Sequence, residues 1–253
     1  MDQSDMSVEV AMEYGGRWSS LRGGNGREWL WHREAPDRFR VRPGDAFVDA
    51  GGLEECIPTI GGTPDHGDAW SRPWQPHGTG MTVAGEDYRL TRWIDTGSAV
   101  TARYLLNAEP GWRFIWAAHT MLDLAPGARM QAPHGAPMWV NSEPRTWPYD
   151  EETDLSVLGA DDGTTRMIVI PQLADITVTD GQDSLTMRLE VDGQPCAMAI
   201  WRNLGGWPAD VPYRNIAVEP IVGICPELKL ARDGETAVMP ASGTLEWTLT
   251  VTA

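Results

Sequence analysis

The sequence predicts an all-β fold built from antiparallel sheets, on three observations. Its 253 residues include 27 glycines and 19 prolines, which interrupt the chain too often for long helices and favour short strands joined by turns. Apolar and polar residues alternate with a period of two from one end to the other, the spacing of a strand with one buried and one wet face. Strand candidate follows strand candidate with no helical repeat between them, which excludes a parallel sheet of βαβ units. Because the alternation reaches both termini, one continuous antiparallel system, a single domain over 1–253, is expected. At 27.9 kDa the chain can bury a full core without disulfides or a structural metal.

The first element is the alternation of Val8, Val10, Met12 and Tyr14 with Glu9, Ala11 and Glu13. Further candidates lie at 16–22, 27–32, 88–95, 99–106, 112–124, 165–170 and 174–179. Leu185, Met187, Leu189 and Val191 then alternate with Thr186, Arg188 and Glu190. Candidates at 196–202, 215–223 and 235–239 precede the closing run, in which Leu245, Trp247, Leu249 and Val251 alternate with polar residues. Asp-Gly pairs at 162–163, 180–181, 192–193 and 233–234 mark turns. Two segments, 36–80 and 131–160, are long, weakly periodic and rich in Pro, Gly and Trp, and read as functional loops.

Charge and cysteine usage narrow the function. Asp and Glu number 36 against 20 Lys and Arg, a formal charge of −16, so nucleic acid and anionic membranes are repelled and a neutral or cationic small molecule fits better. Cys56, Cys196 and Cys225 are odd in number and far apart, which opposes a disulfide framework or a zinc ribbon and points to a reducing cytoplasm. The acidic start, Met1 to Val10, lacks the pattern of a signal peptide, and the most apolar run, 114–124, falls short of a membrane span and carries His119 and Asp123.

The stretch 51–74 concentrates functional groups: Glu54, Glu55, Cys56, Asp65, His66, Trp70, Arg72 and Trp74. With His77, His119 and His134 these include metal-ligand types, as in a cupin-like sugar isomerase, yet no two histidines have the short spacing that aims both at one ion, so no metal is expected. Thirteen tryptophans against three phenylalanines include Trp70, Trp74, Trp139, Trp147 and Trp207 beside polar groups. Each alone reads as packing; together they suit stacking against sugar C–H faces. Glu219 in an apolar strand and His119 in another are either paired structural groups or functional ones.

Several of these landmarks occur in a familiar order. Gly15-Gly-Arg-Trp-Ser-Ser-Leu21, Arg27-Glu-Trp-Leu-Trp31, Asp65-His-Gly-Asp-Ala-Trp-Ser-Arg-Pro-Trp74, Ala118-His-Thr120, Tyr213-Arg-Asn-Ile-Ala-Val-Glu-Pro220 and the closing Pro240-Ala-Ser-Gly-Thr-Leu-Glu-Trp247 resemble the galactose mutarotase (aldose 1-epimerase) superfamily over nearly the whole chain. The resemblance implies a β supersandwich whose concave sheet holds a sugar, with His66 binding substrate, His119 as general acid and Glu219 as general base. It makes Trp70, Arg72 and Trp74 neighbours of the site, and places Glu54 and Glu55 where galactose enzymes carry an Asn-Arg pair. The Asn-His-Ser-Tyr-Phe-Asn run of those enzymes is replaced by Ala117-Ala-His-Thr-Met-Leu122, so the substrate-reading shell differs.

Mutarotation takes the anomeric hydroxyl proton while protonating the ring oxygen, so one base and one acid suffice and no cofactor is implied. The function expected is interconversion of the α and β anomers of an aldose or modified sugar by a cytoplasmic isomerase, monomeric or homodimeric. A hexose-6-phosphate 1-epimerase would need cations at the site mouth, for which Arg72 and Arg202 are the candidates. A carbohydrate-binding protein without turnover is the alternative from another class.

Overall fold

In the computed structural model, which describes residues 5–253, two large antiparallel sheets face each other across the core. The acidic segment 1–4 lies outside the described residues. The larger sheet has eleven strands in the order Ser7–Ala11, Arg17–Arg22, Leu53–Cys56, Trp116–Leu122, Tyr213–Val222, Cys196–Trp207, Thr164–Pro171, Pro137–Val140, Glu143–Thr146, Tyr149–Asp150 and Thr153–Asp154. The smaller has eight: Arg129–Gln131, Asp175–Asp180, Asp183–Val191, Thr244–Thr252, Val100–Ala108, Tyr88–Thr96, Gly80–Ala84 and Gln75–His77. A short ladder joins Ala237–Val238 to Arg113–Phe114. All the paired strands are antiparallel, as the alternation predicts.

The inward faces supply the core. Leu185, Met187, Leu189, Leu249 and Val251 are buried from the smaller sheet, and Trp18, Leu21, Val218, Ile200 and Ile168 from the larger. Tyr104, Trp116 and Trp247 form an aromatic knot between the sheets, with the Tyr104 and Trp247 rings stacked at 5.2 Å.

A second, smaller apolar cluster lies on the other face of the larger sheet. Val169, Ala197, Ala199 and Ile221 from adjacent strands meet Ile60, which sits on a loop. That loop is tied to the segment after Tyr213–Val222: Ile60 N and Gly61 N both donate to the Pro226 carbonyl, at 3.1 and 2.9 Å, and Leu228 N donates to Thr59 Oγ1 at 3.0 Å.

Three expectations are corrected. The 27–32 segment is not a continuous strand: Glu28, Leu30 and His32 make isolated bridges to three different partners. The 112–124 run breaks at Ile115, whose N–H is taken by the Pro58 carbonyl at 2.9 Å, leaving Arg113–Phe114 and Trp116–Leu122 in different sheets. The two presumed loops are partly sheet. Leu53–Cys56 and Gln75–His77 fall within 36–80, and a meander of four short strands fills 137–154; strands this short carry too few alternations to register as a period.

Candidate acid–base site on the larger sheet

Strand register builds the site. The pairing that sets Val218 against Thr120 and Ile221 against Ala117 puts Glu219 opposite His119, while the neighbouring strands set Glu54 opposite His119 and Ala199 opposite Glu219. Residues directly opposite one another share a face, so Glu54, His119, Glu219 and Ala199 form one transverse row. His119 Nε2 lies 3.9 Å from Glu219 Oε1. Both side chains are buried, and His119 Nδ1 and Glu219 Oε2 have no protein hydrogen-bond partner.

Burial shapes this pair's protonation. Desolvation raises the Glu219 carboxyl above its ordinary value, partly opposed by His119. The same desolvation lowers His119, opposed by Glu219 and reinforced by His66. Each effect disfavours the charged form of a buried group.

His66 arrives on a loop in the left-handed region, with φ of 58°. Its Nδ1 is held by Asp65 Oδ1 at 2.8 Å, and its ring stacks on Phe47 at 3.9 Å and meets the His119 ring edge-on at 5.0 Å. Asp65 Oδ2 also accepts from Phe47 N at 2.9 Å. Burial would raise Asp65, but these two bonds hold it below the usual carboxylate value. Gly67, with φ of 72°, lets the loop press on the neighbouring backbone: a Cβ there would stand 1.9 Å from the Ile57 carbonyl oxygen. Gly67→Ala is therefore expected to lower the melting temperature, read by thermal denaturation, and to displace the His66 loop from the His119 ring.

A network that the sequence reading did not identify forms one wall. Asp49 Oδ2 accepts from Tyr213 Oη and Asn215 Nδ2, at 3.0 and 2.9 Å, and Asp49 Oδ1 accepts from Gly51 N at 3.0 Å. Asn215 Oδ1 accepts from Trp201 Nε1 and Asn203 Nδ2, at 3.1 and 2.6 Å. Burial, with Asp49 adding to it, pushes the Tyr213 phenol up to about 12.

These groups enclose a cavity of about 330 Å³ whose polar lining is Asp49, His66, His119, Asn215 and Glu219. The rest is Phe47, Ile60, Gly61, Met167, Trp201, Trp207 and Pro226. A second concavity, of about 400 Å³, lies near Trp93, Arg103, Glu190 and Glu246 of the smaller sheet, away from the acid–base pair.

The structure thus brings together His66, His119 and Glu219 and leaves the other expected substrate contacts outside the cavity lining. Glu54 shares the row of His119, but its carboxylate turns to Arg38, whose Nε and Nη2 donate at 2.9 and 3.0 Å; burial pushes it up to about 7 against the pull of Arg38 and Arg17. Glu55, one residue on, faces the opposite side and binds Arg92, Tyr104 Oη at 3.0 Å and Trp116 Nε1 at 2.6 Å inside the core. Trp70 is a buried support of the His66 loop, its Nε1 donating to the Asp65 and Gly67 carbonyls at 3.1 Å each. Trp74 is buried beneath Arg92. Arg72 is tied to Asp68 at 2.6 Å. Arg202 alternates with Trp201 along its strand and so faces away from the cavity, its Nη1 near Thr164 Oγ1 at 3.4 Å. Exposed His77 and His134 stand apart, and the described residues contain no cluster of three or more His, Cys, Asp or Glu side chains able to hold a metal ion.

Comparison with solved structures gives the architecture a context. The chain superposes over its full length on the Slr1438 protein of Synechocystis sp. PCC 6803, covering 93% of that chain with a TM-score of 0.74 at 14% identity. A candidate aldose 1-epimerase from Escherichia coli K12 matches over 98% of this chain and 95% of its own, with a TM-score of 0.71 at 13% identity. A galactose mutarotase-like protein from Lactobacillus casei ATCC 334 matches over 100% and 98%, with a TM-score of 0.59 at 14% identity. The fold is the galactose mutarotase-like supersandwich. No family model and no curated protein matches the sequence, so the likeness resides in the fold. No helix among the described residues is long and apolar enough to cross a membrane.

Proposed function

We propose that the protein is an aldose 1-epimerase-like isomerase that opens and recloses a cyclic hemiacetal at the His119–Glu219 pair. The observation that carries this reading is that pair itself: a buried imidazole and carboxylate 3.9 Å apart, each with an unpartnered polar atom, lining a mostly apolar cavity. Buried polar atoms are ordinarily satisfied, and a hemiacetal offers what these two lack.

The Glu219 carboxylate takes the proton of the anomeric hydroxyl; the C1–O1 bond gains double-bond character, the bond from C1 to the ring oxygen breaks, and protonated His119 delivers a proton to that oxygen. Rotation about C1–C2 turns the other face of the aldehyde toward the ring hydroxyl, and the same two groups run the step in reverse. His66, with Nδ1 fixed by Asp65, holds the sugar through its other ring nitrogen. The chemistry needs no redox partner or metal.

A phosphorylated substrate is less well supported. No Lys or Arg lines the cavity among the described residues; Arg202 faces away from it by strand parity, and Arg72 is paired with Asp68. Freshly dissolved α-anomers of a panel of free and phosphorylated aldoses, followed by polarimetry or exchange NMR, are expected to equilibrate faster with the protein for at least one free sugar. Unaccelerated exchange across the whole panel would leave a sugar-binding protein without turnover.

A further inference from the structure

We propose that Trp207 is the platform for a second sugar ring, so that the site takes the reducing end of a disaccharide or longer saccharide in preference to a free monosaccharide. This rests on the epimerase reading for which end of the substrate enters the cavity; the platform itself is a feature of the fold.

The chain is shaped to present this side chain. Between Leu204 and Trp207 the strand Cys196–Trp207 carries a bulge, which sets Trp207 opposite Tyr213. Tyr213 shares a sheet face with Asn215 and Glu219 by strand parity, and so does the residue paired with it. Two glycines make the bulge possible. Gly205 adopts φ of 79°, and a Cβ at Gly206 would stand 2.5 Å from Thr165 Oγ1 and 2.6 Å from the Gly163 carbonyl oxygen. Fully buried Asn203 ties the bulge down: its Oδ1 accepts from Gly206 N and Trp207 N at 2.9 and 3.0 Å, and its Nδ2 donates to the Trp207 carbonyl at 2.9 Å. The Trp207 backbone is thus held on both sides while the residue remains 50% exposed. A lone exposed tryptophan needs no explanation by itself; the glycine pair and the buried asparagine that hold this one at a cavity do.

Its position relative to the acid–base pair gives it a use. Trp207 is the exposed member of a lining whose other residues are buried or half-buried, so it marks the mouth, whereas His119 and Glu219 are buried and lie at the floor. A sugar that presents its anomeric carbon to that pair enters by that end and leaves the opposite end of the ring, C3 and C4, toward the mouth. At about 330 Å³ the cavity stands near the lower end of the ~300–1,000 Å³ usual for ligand sites and suits one ring. A second ring joined at the outer end lies beyond it, against Trp207. Indole faces stack on sugar C–H faces, and indole N–H donates one hydrogen bond. Among the described residues, the hydrogen bonds of Trp207 are made by its backbone, which leaves Nε1 free for a hydroxyl. The Trp201 ring, from the same strand, meets that of Trp207 near a right angle at 6.0 Å and supports it.

Maltose and cellobiose against glucose, and β-1,4-galactobiose against galactose, test this by isothermal titration calorimetry for binding and exchange NMR for turnover. At least one disaccharide is expected to bind at least about tenfold more tightly than its own monosaccharide, the factor equivalent to 1.4 kcal/mol. Trp207→Ala should bring that ratio to within about twofold of one, and Trp207→Phe, which keeps an aromatic face, should retain most of it. A purely structural role for Trp207 would weaken both members of a pair alike, and a ratio unchanged in Trp207→Ala would overturn the proposal. So would monosaccharides binding as well as or better than their disaccharides, or no member of the panel binding. Disaccharide preference without anomer exchange would sink the epimerase reading and leave the platform standing; exchange confined to monosaccharides would do the reverse.

Discussion

Glu219→Gln is expected to lower the anomer-exchange rate by about 10²–10⁴-fold, the usual worth of a positioned proton-transfer group, while making the protein more heat-stable at alkaline pH. The two effects have one cause. Burial raises the Glu219 carboxyl above its unfolded value, so the folded state binds that proton more tightly than the unfolded state does. The stability associated with the raised value is fully present below the unfolded pKa and is lost as pH rises through the folded one. Above that point the wild-type protein carries an ionised carboxylate beside an imidazole that burial has also driven toward neutrality. Glutamine keeps the shape and removes the charge, so its gain in melting temperature should be clear at pH 8 and vanish as the pH falls below the unfolded-state value, where the wild-type carboxyl is protonated in both states.

Under the proposed reaction, the same shifts predict the pH profile of exchange by the wild-type protein. Exchange requires the singly protonated pair. It rises as Glu219 loses its proton, above the ordinary 4.5, and falls as His119 loses its own, below the ordinary 6.5. The optimum is a narrow, mildly acidic bell whose limbs belong to the pair and not to either residue alone. Full exchange activity in Glu219→Gln would remove the assigned base; a melting-temperature gain independent of pH would remove the link to buried charge.

How far the sequence revealed this site depends on what each residue's position rests on. His119 and Glu219 stood out as polar groups inside apolar strands, and the order of motifs around them added His66. Their meeting depends on the register between Trp116–Leu122 and Tyr213–Val222, which no local pattern encodes. Asp49 and Phe47 lie in a region of weak periodicity and reach the cavity through loop closure, Phe47 by its bond to Asp65; nothing in their own sequence neighbourhood distinguishes them. Glu54 and Glu55 are separated by a simpler rule. Once Leu53–Cys56 is recognised as a strand, adjacent residues must face opposite sides, so at most one of the two could belong to the site. Arg202 fails on the same parity, one residue from Trp201. The fold was more legible than the site because alternation over nine or more residues, as in Asp183–Val191 and Thr244–Thr252, is a local signal, whereas a cavity is made by residues far apart in the chain.

Arg92→Ala is expected to be the most damaging substitution away from the cavity, costing about 3–5 kcal/mol, the usual penalty for removing one partner of a buried ion pair. Arg92 and Glu55 are fully buried. The guanidinium binds the Glu55 carboxylate and the Gly16 carbonyl and lies 4.7 Å over the Trp74 ring, while Glu55 also accepts from Tyr104 and Trp116. Without Arg92 the carboxylate remains between the sheets with two neutral donors and no countercharge. At about 2–4 °C per kcal/mol for a chain near this size, the melting temperature should fall by roughly 6–20 °C. The double variant Arg92→Met/Glu55→Gln removes both charges and should recover much of that loss, since a buried pair can be exchanged for neutral groups at little net cost. An Arg92→Ala protein that melts within about 1 kcal/mol of wild type would show that the pair contributes no more than a surface bridge. The double variant also carries a functional reading. Glu55 lies on the strand paired directly with the one bearing His119, so recovered stability with depressed exchange would mean that the buried pair, beyond holding the sheets together, sets the line of the strand from which the acid acts.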